Sequence, residues 1–421
     1  MSKPVSKSIS CQDDFDPESL PAEIALNRII DALEPVSEAE RVPPRKALWR
    51  VLAEEIVSNI NVPSGTNSAM DGYAVFGNDI PENGTAILEL AGSSFAGKPF
   101  SGTPQPGQAV RIMTGAVMPP GMDTVIMQEH VSVEGERIRI DDATRPGANV
   151  RQAGEDIAAG DPVLGKGHRL TPADLGLIAS LGTENVLVSR KLRVAFFSTG
   201  DELRSVGEEL ADGQIYDSNR YTLYGMLERL GVESIDMGVI RDDREALRRG
   251  FDDAANTADI LITSGGVSVG EADYVKEILE QCGSVDFWKV AMKPGRPLAF
   301  GQVRGTWFFG LPGNPVSVMV TFYQFVQPAL CYLMGMQKIK PQTLKVTCRS
   351  NLRKKPGRIE FQRGILDYND NGEMVVYKTG AQGSGILRSM SQANCFIVLP
   401  MDSGSIEAGM SVDVQPFYGI V

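Results

Sequence analysis

The chain has 421 residues, so at about 150 per domain it has room for roughly three domains, each with its own core. Hydrophobic residues make up 42% and charged residues 22%, the balance of a globular protein rather than of a disordered or membrane-embedded one. Lys and Arg number 41 against 53 Asp and Glu, a formal charge of −12 with a pI near 4.9, which argues against a protein that coats nucleic acid or anionic lipid.

Residues 1–20 carry Ser, Lys and Asp but no apolar run and read as a loose tail, with neither a signal peptide nor a membrane span. Ile24, Ala25, Ile29 and Ile30 recur at helical spacing, and Pro44 to Leu52 is expected to form a second helix. Beyond Ser58 come short strands broken by Gly and Pro: Ala86 to Leu90, Ala109 to Met113, Thr124 to Gln128, Arg137 to Ile140 and Asn149 to Arg151. A helix then starts at Thr171-Pro172, with Thr171 as cap, and stops at Gly182, so the β segment reads as an insertion in an α-rich region.

From Leu192 to Leu333 strands and helices alternate. Strands are expected at Leu192 to Ser198, Ser234 to Val239 and Asp259 to Thr263, and helices at Asn219 to Leu230, Arg244 to Ala255, Ala272 to Gln281 and Asn314 to Leu330. That rhythm predicts a doubly wound parallel sheet with helices on both faces. After Lys340 the pattern returns to strands, at Thr343 to Cys348, Glu360 to Leu366, Met374 to Tyr377, Cys395 to Leu399 and Ser411 to Pro416, and predicts a small closing β-barrel.

His130 and His168 have no Cys or second His at ligand spacing, which makes a His-rich zinc site or a His-driven triad improbable. The five cysteines (Cys11, Cys282, Cys331, Cys348, Cys395) are odd in number and never in a C-x-x-C pair, which fits a reducing compartment and a cytoplasmic protein. Chemistry should instead gather in the loops after the parallel strands. Ser198-Thr199-Gly200-Asp201-Glu202 and the loop from Thr263 through Ser264, Gly265 and Gly266 to Asp273 combine glycines, hydroxyls and carboxylates. Each reads either as a tight strand-to-helix turn or as a phosphate- or pterin-binding loop. Neither has the spacing of a P-loop or of a dinucleotide fingerprint. Lys289, Lys293 and Arg296 surround a Pro294-Gly295 turn, and Asn314-Pro315 reads equally as a helix cap or as an anion-binding helix start.

Taken together, Asn67 to Ala74, Met113 to Ala116, Gly154-Glu155-Asp156, Ser198 to Leu203, Thr263 to Asp273, Met292 to Gly295 and Leu311 to Pro315 resemble the MoeA family of molybdopterin molybdenumtransferases, related to the E domain of gephyrin. The resemblance runs from about residue 20 to the C-terminus. It implies a multidomain α/β plus β chain. An α-rich domain I would comprise residues 21–58 and 152–191, an inserted β domain II residues 59–151, a MogA-like α/β domain III residues 192–340 and a β-barrel domain IV residues 341–421. It further implies an elongated homodimer in which the cleft lies between the α/β domain of one subunit and the β domain of the other. The reaction would be Mg²⁺-dependent insertion of molybdate into adenylylated molybdopterin, with release of AMP.

By the same resemblance, Lys289, Lys293, Arg363 and Ser384 line the anion pocket, with Arg151, Ser264, Gly265, Gly266, Pro312 and Pro315 as further substrate-binding or pocket-shaping residues. Asp71, Thr114, Asp156, Glu202, Asp242 and Asp273 match catalytic positions, and Glu202, Asp242 and Asp273 are the expected metal ligands. Molybdate is a dianion and the substrate carries a pyrophosphate, so cations are required, and carboxylates beside phosphate call for a hard cation between them. Transient encounters with a MogA-type adenylyltransferase and with molybdoenzyme chaperones follow from the same likeness, and no nucleic acid or membrane. Ser64-Gly65-Thr66 departs from the usual lead into Asn67, and the tail is longer than expected. MogA-type adenylyltransferases and CinA-type nucleotide hydrolases share the Gly-Gly loop but lack the Asn67 to Ala74 segment and the C-terminal barrel. A gephyrin-like scaffold is the remaining alternative, disfavoured because no exposed apolar patch is evident between Ile339 and Val421.

Overall fold

A computed structural model describes residues 19–266, 274–336 and 341–417. Nearly all of the expected tail, the loop 267–273 with Asp273, and Cys11 lie outside the described residues. The chain divides into two compact units, a β-rich one of Arg41–Leu48 and Leu52–Leu187, and an α/β one formed by the residues up to Glu40, Trp49–Val51 and Val188 onward.

In the β-rich unit a six-stranded sheet runs in the order Thr124–Met127, Gly72–Val75, Gln108–Ile112, Thr85–Ser94, Arg137–Asp141, Ser132–Glu134. Successive side chains of a strand point to opposite faces. Here both faces are covered: Tyr73, Val75, Ala109 and Ile126 pack on one side, and Ala74, Val110 and Val125 on the other. The strand Gly72–Val75, which reads from sequence as a polar turn, is therefore buried along its whole length. Gly72 is required there, because a Cβ would lie 2.0 Å from the Ile126 carbonyl oxygen.

At the base of this sheet Asn67–Ser68 pairs antiparallel with Val150–Arg151, with Ser68 opposite Val150 and Asn67 opposite Arg151. The strands that flank this sheet in sequence are thus paired with each other. The helix Pro172–Ser180 begins as expected: the Thr171 amide and hydroxyl both donate to Asp174 Oδ2 at 2.7 Å. The second expected helix does not form. Pro44–Lys46 is a single 3-10 turn, Leu48 and Trp49 are exposed, and Trp49 takes φ +64°, so the apolar residues of this stretch do not share one helical face.

The α/β unit contains a six-stranded sheet in the order Glu233–Ile240, Arg193–Thr199, Ile260–Ser264, Thr306–Leu311, Pro297–Val303, Gly283–Lys289. The first four strands are parallel, but Pro297–Val303 pairs antiparallel with both Thr306–Leu311 and Gly283–Lys289, a departure from the all-parallel expectation. Arg304 (φ +50°) and Gly305 (φ +85°) both take left-handed conformations and close a tight hairpin between Pro297–Val303 and Thr306–Leu311. Val194, Phe196, Ile260 and Ile262 pack with the helix Asn219–Leu230 on one face. Ala195, Phe197 and Leu261 pack with Arg244–Thr257 and Tyr274–Cys282 on the other. The helix Pro315–Leu333 is long and apolar enough to cross a membrane, yet it is 78% buried in this core. Its Phe322–Val326 stretch is π-helical, just ahead of Pro328, a residue that blocks the regular hydrogen-bond ladder one turn back.

The C-terminal strands close into a five-stranded barrel, ordered Ile359–Tyr368, Met374–Lys378, Leu344–Cys348, Ser411–Pro416, Cys395–Leu399 and back to Ile359–Tyr368. Met292–Lys293 adds to it as a short parallel strand along Ile359–Glu360. This attachment carries Lys293 from the α/β sheet region onto the barrel.

Candidate functional site

The carboxyl ends of the parallel strands bring together three of the expected loops. After Arg193–Thr199, Gly200 adopts φ +153°, and a Cβ there would lie 2.6 Å from Glu202 Oε2, so the glycine makes room for the carboxylate folded over it. Asp242 follows the neighbouring strand Glu233–Ile240. Its carboxyl is pushed above the ordinary value by burial and, after that, by the negative charges of Asp201 and Glu202. Glu202 and Asp242 are thus brought together electrostatically, with Asp201 as a third member that sequence reasoning did not single out. Among the described residues no three His, Cys, Asp or Glu converge as a ready ligand set. Alongside lies a cavity of about 560 Å³ lined by Gly200, Asp201, Arg204, Glu208, Val239 and Arg241. Arg204 and Arg241 are also absent from the sequence reading, since neither belongs to a loop motif; the available signals were that Arg241 directly follows the strand Glu233–Ile240 and that Arg204 directly follows the Ser198 to Leu203 motif.

At the end of Ile260–Ser264, the Gly-Gly turn is held tightly. A Cβ on Gly265 (φ +93°) would meet the Thr199 carbonyl oxygen at 2.6 Å, and one on Gly266 (φ +69°) would meet Val275 at 2.5 Å. The Gly265 amide is not open to a ligand, because it donates to the Leu311 carbonyl at 3.1 Å. Ser264 is buried, and its hydroxyl accepts from Asn219 Nδ2 at 2.8 Å and reaches the Pro312 carbonyl at 3.5 Å. Pro312 is buried at the turn before the long helix, Pro315 occupies its first position, and Asn314 caps it without a side-chain hydrogen bond.

Two of the expected basic residues, Arg363 and Lys293, lie on barrel strands. Arg363 is 1% exposed, with Nε donating to Ser389 Oγ at 3.0 Å and a terminal nitrogen donating to the Gly383 carbonyl at 3.1 Å. Burial pushes its guanidinium down to about 10, still charged at neutral pH, and no acidic side chain among the described residues offsets that burial. The neighbouring Ser384 is joined to the long helix, its carbonyl accepting from the Val316 amide at 3.1 Å. Lys293 Nζ lies 3.3 Å from Glu360 Oε1, an exposed lysine against a buried carboxylate. Lys289 ends the edge strand Gly283–Lys289, and its carbonyl accepts from the Leu20 amide at 2.7 Å. Glu360, read from sequence only as the start of a strand, is a further addition to the polar set.

In the β-rich unit Asp71 Oδ1 accepts from both the amide and the hydroxyl of Thr114, each at 2.7 Å. These bonds, with a smaller contribution from Arg111, hold its carboxyl below the usual range. Arg151 pairs with Asn67 at the base of the insertion, and Asp156 is exposed, with its amide donating to the Val62 carbonyl at 3.1 Å. Asp71 and Thr114 are thus joined directly, whereas Arg151 and Asp156 occupy separate surface positions.

Three family models match the chain in order: the MoeA N-terminal region (domain I and II) over residues 20–182, a probable molybdopterin binding domain over 196–331 and the MoeA C-terminal region (domain IV) over 345–417. The chain is 47% identical over 395 residues to the molybdopterin molybdenumtransferase of Haemophilus influenzae, covering 93% of this chain and 97% of that one. It is 38% identical to the molybdopterin molybdenumtransferase of a Nostoc species, over 91% and 90% of the two chains. Gephyrin of Dictyostelium discoideum is 35% identical over 93% of this chain and 61% of its own length. Among solved structures, the molybdopterin biosynthesis moeA protein of Pyrococcus horikoshii OT3 superposes with a TM-score of 0.82 at 31% identity, over 95% of this chain and all of that one. The chain belongs to the MoeA family of molybdopterin molybdenumtransferases.

Proposed function

We propose that the chain inserts molybdate into adenylylated molybdopterin and releases AMP, assisted by Mg²⁺. The observation that carries this reading is the buried Arg363: a charged guanidinium whose hydrogen bonds go to a hydroxyl and a carbonyl, with no carboxylate among the described residues to neutralise it. An oxyanion placed there gains a charge-assisted, forked contact where water screens least. Lys293 stands on the adjoining strand, and Ser384 follows Gly383, the residue that accepts from the guanidinium. Molybdate fits this basic rim as substrate.

The acidic strand ends suit the opposite partner. Asp201 and Glu202 raise the cost of ionising Asp242, and these carboxylates would hold a divalent cation that relieves it. Such an ion supplies charge neutralisation at the pyrophosphate. Glu202 orients the attacking water, which breaks a P–O bond of the pyrophosphate bridge to give AMP and the terminal phosphate of molybdopterin, while the two dithiolene sulfurs bind molybdenum and one molybdate oxygen leaves as water with the two thiol protons. Asp273 belongs to the same proposed set.

The reading includes a cytoplasmic homodimer in which Asp71 and Thr114 serve the partner subunit's site, and the four-domain division with boundaries at 58/59, 151/152, 191/192 and 340/341. Association of two copies is supported by exposed Val206, Ile215, Tyr216, Tyr221 and Tyr224 along one stretch of the α/β unit. Encounters with the adenylyltransferase that supplies the substrate and with chaperones that take the product belong to the same reading. Purified protein supplied with adenylylated molybdopterin, molybdate and Mg²⁺ should release AMP, and a chelator should suppress the release. No AMP in either case removes the transferase mechanism.

A further inference from the structure

We propose that Asn219 is the positioning residue of the pterin-binding loops, an inference that rests on the transferase reading above. The Gly-Gly turn and the Leu311–Pro315 turn are tied by a backbone bond, from the Gly265 amide to the Leu311 carbonyl. Gly265, Gly266 and Gly313 have no side chain to add to it. A side-chain clamp on both turns at once has to come from outside them.

Asn219 supplies it. The residue opens the helix Asn219–Leu230 and is 8% exposed. Its Nδ2 donates one hydrogen to Ser264 Oγ at 2.8 Å and the other to the Gly313 carbonyl at 2.7 Å. Ser264 Oγ in turn reaches the Pro312 carbonyl at 3.5 Å, so a single amide closes a ring of polar contacts through both turns. The orientation of that amide is fixed, since its two neighbours here are a backbone carbonyl and a hydroxyl already turned toward one. Asn219 Oδ1 is buried with no partner among the described residues, an arrangement that costs stability. Shape alone does not explain retaining an amide at that cost; the two donors do. The clamp stops short of the anion pocket, because Arg363 is held by Ser389 and Gly383 of the barrel.

The test is steady-state molybdate insertion by the full-length protein, with adenylylated molybdopterin and molybdate varied separately, together with equilibrium dialysis of molybdopterin itself. Asn219→Asp keeps the shape but replaces both donors with acceptors, and Asn219→Ala removes them. Either should raise KM for adenylylated molybdopterin about tenfold and weaken molybdopterin retention equally, with KM for molybdate unchanged. Ser264→Ala should give a smaller rise, and Asn219→Ala combined with Ser264→Ala should add little to Asn219→Ala alone. A merely structural role predicts less active protein with both KM values unaltered, and that result overturns the proposal. So does a parallel rise in both KM values. If the Asn219 variants do not fold, an unchanged pterin KM in Ser264→Ala overturns it instead. A wild-type chain that retains molybdopterin without turning over removes the transferase chemistry, and the dialysis series then decides the clamp by itself.

Discussion

The strand ends of the α/β sheet and the rim of the barrel carry electrostatic strain of opposite sign. At the strand ends Asp242 is pushed up by burial and by Asp201 and Glu202, so the folded chain pays to ionise it. On the barrel Arg363 is pushed down by burial with no acid in compensation. A protein optimised for stability alone would pair these charges or replace them. In the proposed function each sign is met by a ligand instead: a cation at the strand ends and an oxyanion at the barrel. Lys293 against Glu360 is the instructive contrast, because there the same barrel completes an ion pair within itself.

The comparison breaks most visibly at Arg363. Arg363→Ala should lower kcat/KM for molybdate by about 10²–10³-fold, and Arg363→Lys should restore only part of it, since the forked geometry is lost with the charge kept. Steady-state kinetics with molybdate varied reads this. Full activity in Arg363→Ala would mean that the buried cation is merely structural.

At the acidic end Glu202→Gln should cut AMP release by about 10–100-fold and raise the Mg²⁺ concentration needed for half-maximal rate. A uniform loss without a shifted Mg²⁺ dependence would separate Glu202 from the metal. Asp71→Ala should cost about tenfold in turnover while leaving the mass measured by light scattering at that of the wild type. If full turnover persists, the cross-subunit role assigned to Asp71 is wrong.

The smallest effect sharpens the comparison by its sign. A carboxyl whose value is raised in the folded state contributes stability at pH below its unfolded value, near 3.8, and that contribution is lost as pH rises through the folded value. Ionised Asp242 therefore destabilises the chain at neutral pH. Asp242→Asn should raise the melting temperature at pH 7 by about 1–2 °C, allowing for solvent screening, and the gain should vanish near pH 3. The same variant should lose activity. Stability gained as activity falls is the signature of a carboxylate kept for its chemistry.

Much of the architecture was legible in the sequence because local signals agreed with the global pattern. The helix Asn219–Leu230 and the strands Cys395–Leu399 and Ser411–Pro416 lie where periodicity and turn residues put them. The failures share a cause. The strand Gly72–Val75 was hidden because Asp71-Gly72 carries turn chemistry, whereas its glycine is dictated by the backbone of Ile126, a residue distant in sequence. The antiparallel edge is obscured in the sequence by the Pro294-Gly295 turn that interrupts its strands, although Arg304-Gly305 between alternating apolar residues is a hairpin signal. Of the site, the glycine loops could be found from residue types, but Arg363 in the middle of a strand carries no local mark. Its significance comes from burial, which only the closed barrel supplies. Ser264 and Gly265 show the reverse: motif residues whose polar groups are already engaged by their own fold.

The paired strands Asn67–Ser68 and Val150–Arg151 also set an order of events during synthesis. Roughly eighty residues separate Ser68 from Val150, which at ~5–20 residues per second is several seconds on the ribosome. The inserted sheet has its whole sequence before Val150 appears, whereas the flanking segment before Asn67 waits for strands such as Pro162–Leu164 that have not yet been made. The module in the middle is thus free to fold first, and the part that encloses it in sequence closes around a finished piece.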